Sequence, residues 1–181
     1  IVALNSRFRL STLPVYWPML IIALLVVAGA SDPATDPRSI AIMFLLAASV
    51  GIGEELLFRG YVIHWASPLG VRRQIFCSGA AFGAVHLLGL GSGLPPAVIL
   101  AQAYFAAALG MIFAYGRLRD GSLCLAIVVH TLFDFTAFVA NGGIRNIFEN
   151  AEQIIPGLLL GGTIALIWAA FLTYRAPASL Q

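Results

Sequence analysis

Shortage of charge constrains this chain more than any other feature. Only 10% of its 181 residues are charged, while 60% are hydrophobic. A soluble domain carries about 25% charged residues. Ten basic and eight acidic side chains cannot clothe a folded domain in water. The mean hydropathy of +0.94 points the same way. The composition excludes a disordered tail and a nucleic-acid binder, and the net charge of +2 implies no polyanionic partner. The expected fold is all-α: a polytopic bundle of transmembrane helices lying in the lipid bilayer. Cys77 and Cys124 fall in apolar stretches and say nothing of redox compartment.

A spanning helix needs about 20 mostly apolar residues. Six stretches qualify, over about Leu13–Ala30, Ser39–Trp65, Gln74–Leu90, Leu94–Gly116, Ser122–Ala140 and Ile154–Tyr174. Turn-forming sequence separates them: Asp32-Pro33 and Asp36-Pro37, Ser67-Pro68 with Gly70, the glycines from Gly89 to Gly93, Asp120-Gly121, and Asn141-Gly142-Gly143. The first run, behind Arg7 and Arg9 and ending in Ala28-Gly29-Ala30, also fits a secretory signal, but it is longer than a typical signal core. The chain begins at Ile1 and not at Met, as a fragment would.

Arginine placement suggests an orientation. Six spans put Arg7, Arg9, Arg72, Arg73, Arg117, Arg119 and Arg175 on one side, against Arg38 and Arg145 on the other. By the positive-inside rule both termini are cytoplasmic.

Charge within a bilayer is costly, so each intramembrane ionisable group is a functional hypothesis. They gather in three windows. The second span carries Gly53-Glu54-Glu55-Leu56-Leu57-Phe58-Arg59-Gly60, the third Phe82-Gly83-Ala84-Val85-His86, and the fifth His130-Thr131-Leu132-Phe133-Asp134. Glu55 and Arg59 stand at i,i+4 with the acid first, the better order for a pair. His130 and Asp134 also share a helix face, and Phe82 has the spacing to pack below the His86 imidazole.

At about 1.5 Å rise per residue, counted from Ser67, Arg72 and Arg119 as cytoplasmic edges, Glu54 lies about 20 Å deep, His86 about 21 Å, Asp134 about 22 Å and His130 about 17 Å. Three antiparallel spans thus bring their ionisable groups to nearly one level. Any one window alone can be structural, since buried polar side chains also join helices. Agreement among three favours a site. His64 reads as interfacial, Phe58, Phe133 and Phe135 as packing, and Asp120, Glu149 and Glu152 as solvated loop charges.

Two carboxylates and two imidazoles at one depth can bind a divalent metal, relay protons in a transporter, or activate water. Hydrolysis needs a general base and donors for the developing oxyanion. Burial and a neighbouring cation act oppositely on a glutamate's proton affinity, a balance that suits a base. Two His and a Glu would make adequate zinc ligands. The H-E-x-x-H helix of zinc proteases is absent, however, and nothing in the spacing compels a metal.

With Glu54-Glu55-xxx-Arg59, Phe82-xxx-His86 and His130-xxx-Asp134 in this order on three spans, the chain resembles the CPBP family of CAAX-protease and bacteriocin-processing membrane proteins. The resemblance covers about residues 40 to 140. It implies a catalytic core over 39–140, flanked by an N-terminal span and loop over 1–38 and a C-terminal loop and span over 141–181.

The implied activity is an intramembrane endopeptidase, and the implied partner a membrane-associated peptide or protein. In the eukaryotic branch the last three residues of a prenylated CAAX protein are removed. Bacterial members, linked to peptide maturation and immunity, imply a prokaryotic plasma membrane. Carried over, Glu54 is the general base, His86 holds and polarises the water, and Glu55 with Arg59 forms a supporting ion pair. His130 and Asp134 stabilise the oxyanion. The favoured mechanism needs no cofactor, with zinc as the alternative. Asp134 stands where the CAAX branch usually has Asn. An ionised Asp cannot donate a hydrogen bond. Asp134 must therefore be protonated, or orient His130 as a carboxylate orients a catalytic imidazole. A proton- or ion-coupled transporter and a non-catalytic immunity or scaffold protein are the competing expectations.

Overall fold

The structure, a computed structural model, describes residues 10–30 and 33–177, and among them there is no strand. Arg7, Arg9 and Asp32 lie outside the described residues. A 3-10 turn, Leu10–Tyr16, leads into α1, Trp17–Ala28. Helix α2, Pro37–Glu55, continues without a break through a π-helical stretch, Leu56–Val62, into the short α3, Ile63–Trp65. Then come α4, Val71–His86, and α5, Pro96–Asp120. The last three helices are α6, Cys124–Ala140, the short α7, Ile144–Glu149, and α8, Ile155–Arg175.

Five helical stretches are long and apolar enough to cross a membrane: Leu10–Ala28, Pro37–Trp65, Val71–Gly91, Pro96–Asp120 and Ala151–Arg175. The shorter Cys124–Ala140 makes the sixth apolar helix. The expected all-α bundle of about six spans is therefore the architecture. Leu24, Leu45, Leu160 and Ile167 are among the many large apolar side chains left exposed, as lipid-facing surfaces require.

Helix ends follow local chemistry. Asp36 caps α2, its Oδ2 accepting from the Ser39 N–H at 2.8 Å, with Pro37 in the first turn. The Ser39 hydrogen bonds hold the Asp36 carboxyl below its usual range. The cap's contribution is thus present at neutral pH and is lost as pH falls through that lowered value.

Helix α5 runs one turn beyond its expected end, stopping at Gly121, whose positive φ of 71° lets its N–H reach the Arg117 carbonyl at 2.9 Å. That extra turn overturns one expectation. Asp120, read as a solvated loop charge, belongs to the helix and is buried, and neither carboxylate oxygen has a hydrogen-bond partner among the described residues. Glu149 and Glu152 are exposed as expected, although Glu149 sits on α7, a helix no apolar run announced, paired with Arg145 at 2.7 Å. His64 is exposed near the end of its span.

Helix α5 is the central post of the bundle, with α4 on one side and α8 on another. The α4–α5 seam is made by absence of side chain. A Cβ on Gly83 would lie 2.7 Å from both the Ala103 carbonyl oxygen and the Ala107 Cβ. A Cβ on Gly79 would press on Met111 and lie 2.8 Å from the Ala107 carbonyl. Small residues four apart let backbones approach where lipid supplies no hydrophobic drive. At the arginine-bearing end, Arg72 donates to the Tyr174 carbonyl at 3.0 Å, and Trp168 of α8 donates from Nε1 to the Val15 carbonyl at 2.8 Å.

Gly83→Ala should force the α4–α5 seam apart at backbone, not at a yielding side chain. We expect a loss of about 1–3 kcal/mol, the usual cost of overpacking, read as a lower midpoint of thermal unfolding in detergent. An unchanged midpoint would show that the seam is looser than described.

Candidate active site

The site is built around a charge that cannot reach water. Glu55 ends the α-helical part of the second span, and Arg59 lies within the π-helical stretch. Both side chains are 0% exposed, with Arg59 Nη1 2.9 Å from Glu55 Oε1. The i,i+4 pair expected from the sequence is present. The π turn that carries Arg59 was not foreseen, because hydrophobic periodicity does not register the local widening of a helix. Such turns disturb the usual backbone pairing and recur at functional sites. Here Ser78 of α4 donates its hydroxyl to the Phe58 carbonyl at 3.1 Å, satisfying one backbone acceptor of the widened turn.

The guanidinium makes no other polar contact among the described residues, and its nitrogens lack hydrogen-bond partners of good geometry. Aromatic rings take that place. Arg59 Cζ lies 4.4 Å from the Phe82 ring centroid, 4.9 Å from Phe113 and 5.9 Å from Phe58. Desolvated cation–π contacts of this kind are each worth about 2 kcal/mol or more. Phe58 is thus packing, as expected, but packing that faces a cation. Phe133 stacks on Phe105 and Phe135 meets Phe44 edge-on.

His130 joins the network from α6. Its Nδ1–H donates to Glu55 Oε1 at 2.9 Å, so Glu55 holds both Arg59 and the imidazole through one oxygen. Phe113 stacks on the ring at 5.1 Å. With Nδ1 committed, Nε2 faces outward, 3.5 Å from Glu54 Oε2 and 3.6 Å from Asp134 Oδ2. Of the two roles left open for Asp134, protonated or orienting His130, this arrangement bears on the second. The carboxylate that orients His130 through Nδ1 is that of Glu55, while Asp134 stands on the Nε2 side. Spacing shows only that Asp134 shares a helix face with His130; the Glu55 contact crosses between helices and has no spacing signature.

His86 is held differently. Its Nδ1–H donates to the Phe82 carbonyl at 2.7 Å, and the Phe82 ring packs edge-on at 5.0 Å, as the i,i+4 spacing predicts. Nε2 is left with a free lone pair. Glu54, His86, His130 and Asp134 all line one cavity of about 320 Å³, whose walls also include Met19, Gln102, Phe133 and Leu158. Glu54 is 30% exposed there, in contrast to its fully buried neighbour. A helical turn of about 100° between adjacent residues points one carboxylate into the cavity and the other into the core.

All six expected site residues thus fall in one network and the cavity beside it. Met19, Gln102 and Leu158 were not singled out from the sequence, being ordinary residues in apolar runs. Among the described residues no group of three His, Cys, Asp or Glu is arranged to hold a metal ion.

The comparisons with known proteins bear on the same segment. A family model described as type II CAAX prenyl endopeptidase Rce1-like matches residues 36–136, more than half of the chain. No match was found among curated proteins or among solved structures.

Removing one partner of the buried pair leaves the other charge bare. Glu55→Gln and Arg59→Ala should each destabilise the protein by about 3–5 kcal/mol, read by unfolding in detergent. Replacing both by apolar residues of similar size should cost less than either single change. Single variants as stable as wild type would mean that the pair is hydrated.

Proposed function

The chain belongs to the Rce1-like family of type II CAAX prenyl endopeptidases, and from that premise we propose that it hydrolyses a peptide bond near the C-terminus of a membrane-associated substrate by a glutamate-activated water. One observation carries the reading. The partly exposed Glu54 carboxylate and the imidazoles of His86 and His130 line the same cavity inside a membrane-spanning bundle.

In this mechanism water sits between the Glu54 carboxylate and the free Nε2 of His86. Glu54 takes the water proton as its oxygen attacks the scissile carbonyl carbon. The carbonyl π electrons move to the oxygen, giving a tetrahedral oxyanion. His130 can donate to that oxyanion from Nε2 when it carries a second proton, because Glu55 keeps Nδ1–H engaged. Such a proton lies between Glu54 and Asp134, which can share it. Collapse breaks the C–N bond, and the proton held by Glu54 passes to the leaving amine. Glu55 and Arg59 touch no reacting atom and act by positioning His130.

No step in this scheme needs a metal or another cofactor. Arg72, Arg73, Arg117, Arg119 and Arg175 favour a cytoplasmic position for the termini and for this end of the bundle.

The test is cleavage of a quenched farnesylated peptide ending in a CAAX sequence by purified protein in detergent. Glu54→Gln should lower kcat by about 10²–10⁴-fold, the usual contribution of a general base, with unfolding unchanged. Wild-type cleavage should survive a strong chelator. Full activity in Glu54→Gln would sink the assignment of the base, and loss to chelator with rescue by zinc would make the same side chains ligands. Asp134→Asn takes away one of the two carboxylates that share the His130 Nε2 proton and leaves Glu54 to hold it, so cleavage should fall by less than in Glu54→Gln; a loss as deep as that of Glu54→Gln would make the Asp134 carboxylate essential.

A further inference from the structure

The catalytic cavity has an apolar neighbour. A second chamber of about 310 Å³ is lined by Leu46, Leu94, Val98, Phe148 and other side chains, none of them charged. The two chambers share Gln102, Phe138 and Leu158. Of the three, only Gln102 is polar. It stands exposed on α5, and none of the side-chain hydrogen bonds that hold Ser78, His86 and His130 involves it. An amide at membrane depth with no side-chain partner among the described residues is costly unless water or a ligand reaches it. The surrounding wall could be built from apolar residues, and the first, fourth and sixth spans are otherwise almost free of such groups.

Its level is informative. In the α4–α5 seam Gly79 faces Ala107 and Met111, and Gly83 faces Ala103 and Ala107. Continuing this antiparallel register by three residues brings His86 level with Gln102. Gln102 therefore lies level with the His86 imidazole, on a wall common to both cavities.

We propose that Gln102 is a positioning residue for the substrate: its carboxamide pairs with the peptide backbone beside the scissile bond while an adjacent apolar side chain of the substrate enters the second chamber. A glutamine side chain offers both an N–H donor and a carbonyl acceptor, and so can bind a peptide unit through its C=O and N–H together. The pairing serves binding, holding the peptide so that its scissile bond lies in the catalytic cavity, equally in the ground state and the transition state. The inference rests on the proposed peptidase reading and deepens it.

Gln102→Leu should raise KM for the farnesylated peptide about tenfold, the effect of a lost neutral hydrogen bond or two, with kcat within about threefold because the amide touches no reacting atom. Gln102→Asn should recover part of the loss. A second measurement separates pairing from simple packing. Substrates in which one backbone N–H near the scissile bond is replaced by an ester oxygen are compared across the two proteins. One such ester should weaken binding to wild type about tenfold and leave Gln102→Leu unaffected.

Binding of the intact peptide to the Glu54→Gln protein, followed by fluorescence anisotropy with and without the added Gln102→Leu change, gives the same comparison without turnover. Failure of wild type to cleave would then count against the peptidase reading, whereas equal affinity with and without Gln102→Leu would overturn this one. An ester penalty that persists unchanged in the Gln102→Leu protein would also overturn it.

Discussion

The Glu55–Arg59 ion pair is the constraint to which the rest of this bundle answers. Two charges removed from water cost several kcal/mol each unless they are paired and enclosed. The enclosure here draws on the second span, α4, α5 and α6 together. Phe58, Phe82 and Phe113 supply ring faces to the guanidinium, and His130 supplies an N–H to the carboxylate. Because these partners come from several helices, the pair fixes how those helices lie against one another. The glycine and alanine seam between α4 and α5 serves the same end, bringing Phe82 and Phe113 close enough to face one cation.

Stability and chemistry meet at one carboxylate oxygen. Glu55 Oε1 receives both Arg59 and His130 Nδ1. The imidazole is thereby held in one tautomer, and its other nitrogen is delivered to the cavity. Glu54, one residue earlier, uses the same helix to present a carboxylate to the cavity. In the proposed mechanism the adjacent glutamates divide two tasks that conflict, since a group that anchors a buried cation is poorly placed to exchange protons with a water.

Much of this was legible in the sequence because charge is so rare in it. Glu54, Glu55, Arg59, His86, His130 and Asp134 stood out against apolar spans, and the i,i+4 spacings gave the within-helix contacts Glu55–Arg59 and Phe82–His86 correctly. Contacts between helices left no such trace. Nothing in the spacing announced that Glu55 would take His130 Nδ1, or that Arg59 would ride on a π turn. Asp120 was misplaced because Asp-Gly reads as a loop, whereas Gly121 merely ends a helix one turn later than expected. Gln102 went unnoticed because a lone amide in an apolar run carries no pattern; only its place on the walls of two cavities sets it apart.

The local character of the ion pair has a consequence for biogenesis. A lone Arg or Asp at the centre of a span costs about 2.5–3.5 kcal/mol on the scale of insertion by the translocon. The second span presents its arginine four residues after a glutamate, on its own helix, long before His130 or the aromatic rings of α4 and α5 have been synthesised. The two charges can therefore neutralise each other as the nascent helix leaves the translocon for lipid. Later helices inherit a segment already settled in the membrane and close around it one after another, the histidine arriving last but for α7 and α8. A glutamate supplied by another span would have left the arginine to wait in hydrocarbon for its partner.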